Sequence, residues 1–361
     1  MSLCFRTSII CIAQAAARTA AFSTLLIAQN AMADVTYPKF TGTIDIDMQY
    51  DDTIDGDDVA RRLNGLYTTT EPEVAVEFQP GLTFLMRGEL ESLEAAGNGL
   101  TFEDQGFHVE AMNLSYDSGR FLFLGGKFSP IFGFASKQAS GVYDTDFTAD
   151  YQITEQIGLQ GAMKFDDLLA GAHRLTLSTF FVDTTYLGAT GVDSHVRTRK
   201  SVGGVGNTES LNSFTIALDG GGLAAAPGFS YHLAHLHRAA GRGDATDERA
   251  VAIGGQYRTG VGPISLTGLA EAVRFSDYGG ERDVDRDYFT VGLPLGWESL
   301  HGAVFGTSRR TDGDSDDQIL QISAGHEFDT GMALNLGWKT LDEGGENTNS
   351  FGIFLTYGLK F

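Results

Sequence analysis

The sequence predicts an all-β chain that closes into a transmembrane antiparallel β-barrel of about 16 strands, with short periplasmic turns and long extracellular loops. Three observations predict it. Segments with an apolar residue at every second position recur along the chain. The connections between them are alternately short and long. Beyond an interrupted stretch near Met1, nothing approaches the ~20 unbroken apolar residues of a membrane helix.

The elements follow in order. Residues 1–33 hold only Arg6 and Arg18 as charges, then an apolar stretch from Thr19 to Ala28 and the small-residue triplet Ala31-Met32-Ala33. That pattern is a secretory signal cleaved after Ala33, which leaves 34–361 as one barrel domain. Removing Arg6 and Arg18 would take the formal charge from −22 to −24. Both cysteines, Cys4 and Cys11, leave with it, so the mature chain is expected to hold no disulfide and no thiol metal site.

The first strand follows Pro38, with Phe40, Gly42, Ile44, Ile46, Met48 and Tyr50 on one face and Asp45, Asp47 and Gln49 among the other. Successive side chains of a strand alternate in direction. An acidic loop is expected from Asp51 to Asp58. Leu66–Gln79 and Leu82–Glu91 form a hairpin about Pro80-Gly81, and Phe107–Tyr116 turns at Asp117-Ser118-Gly119 into Arg120–Phe128. Later strands are expected over Gln152–Phe165, Ala172–Val182, Leu211–Asp219, Phe229–Arg238, Glu248–Arg258, Pro263–Phe275, Asp287–Leu295, Ser299–Arg309, Gln318–Phe328 and Met332–Leu341. In the last, Asn349–Phe361, Phe351, Ile353, Leu355, Tyr357, Leu359 and Phe361 share one face. Tyr357, Leu359 and Phe361 are the expected assembly signal, and Phe361 suits an aromatic girdle.

A soluble barrel would turn its apolar face inward. Sixteen strands enclose a lumen too wide for side chains to fill, so the apolar face is expected to meet lipid. No plug-like segment stands between Ala33 and the first strand, which argues against an energy-coupled receptor.

The polar face predicts the lumen. Asp45, Asp47, Glu77, Arg87, Glu89, Lys127, Arg174 and Arg258 are expected to line it, acidic in the early strands and more basic from Arg120 to Arg258. Such a split sets a transverse field; solvated charge without selectivity is the bland alternative. Residues 129–150 are longer than a turn needs and carry Phe132, Phe134, Tyr143 and Phe147. Folded inward as a constriction, they would present Lys137, Asp144, Asp146 and Asp150; otherwise they cap the barrel outside.

Gly125–Phe134, GGKFSPIFGF, ends a strand in a Gly-x-Phe/Tyr-x-Pro-x-Gly-like pattern. It resembles the strand-to-loop junction of plug-less outer-membrane porins of the phosphate-selective and siderophore-porin types, as do Gly262–Val273 and the last strand. The resemblance implies a Gram-negative, 16-stranded, often homotrimeric channel whose selectivity varies between members. Unlike the basic ladder of phosphate-selective porins, the inward cations here are interrupted by acids.

Passive diffusion of small hydrophilic solutes across the cell outer membrane is the leading expectation. The rival is an uptake channel for a siderophore or other anionic solute, using Lys127, Lys137, Arg174 and Arg258; a barrel enzyme is a third. No G-x-S-x-G, H-E-x-x-H or phosphate loop occurs. Expected partners are outer-membrane lipid and lipopolysaccharide, the barrel-assembly machinery and small solutes, with no nucleic acid. No cofactor is expected beyond loose calcium at Asp312, Asp314 and Asp316, which alternate as in a calcium loop but lack its glycine and terminal Glu. Of three nearby histidines, alternation puts His235 and His237 on one face and His232 on the other.

Overall fold

The computed structural model describes residues 36–56, 64–92, 105–138, 141–143, 146–168, 171–189 and 198–361. The expected signal segment and Asp144 lie outside the described residues. The strands are β1 (Lys39–Gly56), β2 (Asn64–Gln79), β3 (Leu82–Ser92), β4 (Gln105–Asp117), β5 (Phe121–Phe128), β6 (Gln156–Leu168), β7 (Gly171–Val182) and β8 (Ser213–Leu223). They continue with β9 (Ala226–Arg238), β10 (Glu248–Val261), β11 (Ile264–Ser276), β12 (Arg286–Trp297), β13 (Leu300–Thr311), β14 (Asp317–Glu327), β15 (Met332–Glu343) and β16 (Glu346–Lys360). Each pairs antiparallel with its sequence neighbours, and β16 pairs back to β1, closing the barrel. The count and the order agree with the alternation in the sequence.

The seam is held where Phe361 and Gly42 exchange both backbone hydrogen bonds, at 2.9 and 3.0 Å. The Phe361 ring lies where a Gly42 side chain would be, 2.3 Å from the position a Cβ would take. An aromatic thus covers the bare backbone of a glycine on the neighbouring strand. Tyr357, Leu359 and Phe361 are exposed on the outer surface.

That surface is apolar nearly all round. Phe40, Phe123, Leu159, Leu177, Ile253, Phe289, Ile322 and Leu336 are each exposed on the outward phase of a different strand. Such a belt is stable against lipid rather than water, and closure gives every strand two neighbours. The fold is therefore a transmembrane barrel.

Two boundaries correct the sequence expectation. β1 runs on to Gly56, so Asp51, Asp52 and Asp55 belong to the wall rather than to an acidic loop. Alternation continues through them; clustered aspartates merely look like a turn. Likewise Asp342 and Glu343 end β15 and Glu346 begins β16, with only Gly344-Gly345 between them. Both glycines have positive φ, 66° and 79°, which a two-residue hairpin turn requires. This connection is short although it lies at the end where the loops are long.

β5 is the short stave, with 8 residues. Its ladder with β4 covers Met112–Asp117, so among the described residues β5 does not extend along Gly106–Ala111. The chain leaves the wall there, and the 3₁₀ turn Tyr186–Gly188 of the β7–β8 connection lies against β4.

Candidate functional site: a loop laid across the lumen

The described residues of 129–155 fold into the barrel rather than over it. They contain two short helices, α1 (Ala135–Gln138) and α2 (Asp146–Ala149). Their aromatics explain the fold, because each is buried against the inner wall. Phe132, Tyr151 and Ile153 join Phe180 of β7, Leu236 of β9, Val273 and Phe275 of β11 and Tyr288 of β12 in one apolar cluster. Phe134 and Ala135 pack on Leu269, Ala303 and Phe305. Val142 and Tyr143 pack on Phe354 of β16. The segment therefore lines the wall from β7 round to β16 and returns.

Inner-wall glycines make room for it. A Cβ on Gly254 would stand 2.5 Å from the Phe134 ring, and one on Gly337 2.6 Å from Val142 Cβ. Gly352, opposite Gly337 in the ladder, would meet the Tyr143 hydroxyl at 2.5 Å. The tip of the loop sits in a notch made by that glycine pair.

Polar anchors complete the attachment. Glu271 of β11, fully buried, accepts hydrogen bonds from the backbone N–H of Phe134 (2.7 Å) and Ala135 (2.9 Å) and from the Tyr151 hydroxyl (2.6 Å). The Tyr143 hydroxyl donates to Asp51 Oδ1 at 2.8 Å, and the Tyr67 hydroxyl to Asp51 Oδ2 at 2.6 Å. Lys339 of β15 holds Asp146 at 2.7 Å. Arg309 of β13 holds Asp150 at 2.8 Å and Asp317 at 2.8 Å, with its guanidinium 4.3 Å from the Phe147 ring centre. A buried cation with several charge-assisted hydrogen bonds fixes position strongly.

These contacts relocate several expected lumen residues. Asp146 and Asp150 face wall cations, so the loop turns their charge toward its own attachment. Lys127 is fully buried, with Nζ 2.7 Å from Glu155 and 2.9 Å from Asp183. Its ladder partners Met112 and Ile157 put it on the outward phase of the wall, not the lumen phase. Lys137 is exposed on α1, within electrostatic reach of Arg174 and Asp219. Arg174 stands 4.0 Å from Asp219, and Arg258 is exposed on β10 beside Thr267.

The wall of β1–β3, which the loop touches through Tyr143 on Asp51, is acidic. Asp45, Asp47 and Asp51 of β1 share the inward phase with Glu71, Glu73 and Glu77 of β2 and Glu89 and Glu91 of β3. Arg87 is engaged by Glu73, through Nε at 2.8 Å, and by Glu110 at 3.6 Å. Glu77 accepts from Gly81 N–H at 3.1 Å. Sequence reasoning missed Glu271, Arg309, Lys339, Asp51 and the glycine notch as loop anchors. Small inward residues on consecutive strands, Ala217, Ala234, Ala250 and Ala252, were a signal of a covered wall.

The histidines sit as alternation expects. His232 is buried inside and bonded to Asp219 at 2.8 Å, while His235 and His237 lie outside against Phe214. Asp312 accepts from Asp285 N–H at 3.3 Å and Asp316 pairs with Arg310 at 3.4 Å, so these carboxylates have separate partners. Among the described residues, the group whose ligand atoms converge is Glu89, Glu91 and His108.

No protein-family model matches the sequence, and neither does any curated protein. Solved structures match the fold. OprB of Pseudomonas putida superposes with a TM-score of 0.66 at 9% identity, covering 89% of this chain and 94% of that one. OpdK of Pseudomonas aeruginosa, solved with vanillate, has a TM-score of 0.51 at 9% identity, covering 89% and 99%. OccAB2 of Acinetobacter baumannii has a TM-score of 0.51 at 9% identity, covering 89% and 98%. At such identities the likeness is one of architecture: the chain is similar to 16-stranded channel barrels over nearly its whole described length.

Proposed function

We propose that this barrel is an outer-membrane channel through which small hydrophilic solutes diffuse passively, cations more readily than anions. One observation carries the reading: a loop anchored across the lumen narrows the pore and leaves the acidic β1–β3 wall facing the remaining water. Rings or walls of carboxylate raise the local cation concentration and oppose anions. No bond is made or broken along the path. The closed barrel with its outward apolar belt supports the location; a homotrimer, contacts with lipopolysaccharide and delivery by the barrel-assembly machinery belong to the same proposal.

An anion-binding uptake channel, with OpdK and its vanillate as the analogue, has Lys137 in its favour. It is weakened because Lys127 is buried between Glu155 and Asp183 and Arg174 lies beside Asp219. Reconstitution of the folded chain into a planar bilayer separates the two. Stable ohmic steps with a modest cation preference support the diffusion channel. Saturable block by one anion, lost in Lys137→Ala, would favour the uptake channel. Absence of conductance in every condition would overturn both.

A further inference from the structure

Where β5 stops and the loop turns inward, ligand-type side chains from three segments meet. Glu89 and Glu91 stand two residues apart on the inward face of β3, and His108 of β4 is the ladder partner of Glu89. Glu89, Glu91 and His108 each offer a ligand atom, and these atoms lie within 4.8 Å of one another. The fourth group is Glu155, at the loop's return to β6, whose Oε1 is 3.3 Å from His108 Nε2. His108 is nine-tenths buried, and the same Nε2 also faces Glu89 Oε2 at 3.7 Å. One ring nitrogen therefore points into a gap between carboxylates from different elements.

Among the described residues, the nearby cations are shared with other carboxylates. The Lys127 ammonium lies on the other oxygen of Glu155 and is shared with Asp183. Arg87 is engaged by Glu73 and Glu110, and Glu110 Oε2 is buried with no hydrogen bond. Three carboxylates around one imidazole repel each other unless protons or a metal cation join them. Ligands bonded at ~2.0–2.2 Å to a tetrahedral metal are about 3.3–3.6 Å apart. The separations of His108 Nε2 from Glu155 and Glu89, 3.3 and 3.7 Å, lie close to that spacing.

We propose that Glu89, Glu91, His108 and Glu155 bind one divalent first-row transition-metal ion, with Zn2+ the ion their chemistry suits best. An imidazole nitrogen beside carboxylates favours zinc over the all-oxygen shells of calcium or magnesium. The ion ties the returning loop to the β3–β4 wall beyond the end of the β5 ladder. It adds a regulatory ligand to the channel and does not depend on which solute passes, so its failure would leave the conductance reading standing.

The test uses the full chain, folded in detergent and stripped with a chelator. Calorimetric titration with Zn2+ is expected to show one ion per chain. Affinity is expected to fall about a hundredfold in His108→Gln and in Glu91→Gln, and to hold in the Asp312→Asn/Asp314→Asn double variant. Co2+ in the same site is expected to give visible absorption that His108→Gln removes. Gel migration with and without heating checks that each variant is folded, and Glu91→Gln serves if His108→Gln is not. Lack of saturable Zn2+ binding by the folded wild type overturns the proposal. So does binding that survives in both single variants, or that disappears in His235→Ala/His237→Ala instead.

Discussion

At the scale of single residues, the loop is held by groups that each satisfy several partners at once. Glu271 is the clearest, because one carboxylate accepts two backbone N–H groups and a tyrosine hydroxyl. Leaving a buried donor unmatched costs about 1–3 kcal/mol, so Glu271→Ala removes acceptors from three donors together. The expected outcome is a channel with larger and noisier conductance and a loop open to protease, while the barrel itself still resists unfolding on gels. A Glu271→Ala channel with wild-type conductance would sink the latch. Lys127 works differently. Lys127→Met leaves Glu155 and Asp183 facing each other without a cation, and breaking a buried pair costs roughly 3–5 kcal/mol. The folded form is expected to be lost at a lower temperature in heat-modified gel migration; an unchanged temperature would argue against that role. The sequence already held the clue to Lys127, which shares its phase with the lipid-facing Phe121 and Phe123. Its partner Asp183, across 56 positions of chain, has no signature that alternation can reveal.

At the scale of elements, the strands were legible and the inserted loop was legible only as an oddity. Alternation fixes a strand because the period of two is local, and sixteen such periods need no long-range information. Phe132, Phe134 and Tyr143 likewise marked 129–150 as too apolar for a solvated loop. Where that loop docks depends on facing residues more than 100 positions away, such as Glu271, Gly337 and Gly352. A glycine in a strand reads equally as a weak point, a bulge or a docking notch. The structure selects the notch at Gly337 and Gly352, and this can be tested. Gly337→Val places its first carbon 2.6 Å from Val142 Cβ and 3.3 Å from the Tyr143 ring, closer than packed side chains tolerate. The tip is expected to leave the wall, changing single-channel conductance severalfold. The lipid-facing Gly268, with nothing within 4 Å of its would-be Cβ, is the control, and Gly268→Val is expected to conduct as wild type. Equal conductance of the two variants would show that the notch does not seat the loop.

At the scale of the whole molecule, the formal charge of −22 says little until the faces are sorted. Part of the acidity is neutralised inside the fold, where Asp146, Asp150, Asp317 and Glu343 lie against Lys339 and Arg309. The charge toward the lumen is unevenly placed, with carboxylates along β1–β3 and exposed Lys137 and Arg258 apart from them. Salt decides how far that asymmetry reaches. At 0.1 M the Debye length is about 10 Å, long enough to act across a pore narrowed by a loop, whereas at 1 M it is about 3 Å. A bilayer holding wild-type channels under a tenfold KCl gradient centred near 0.1 M is therefore expected to show a reversal potential of cation sign. Near 1 M the same gradient ratio should give a value closer to zero. Neutralising the wall with Asp45→Asn and Glu71→Gln is expected to reduce the low-salt potential and to leave the high-salt value nearly unmoved, because only the unscreened field depends on those charges. A reversal potential of anion sign at low salt would mean that Lys137, Arg174 and Arg258 govern the pore. The acidic wall would then be a structural surface, and the solute class would be anionic.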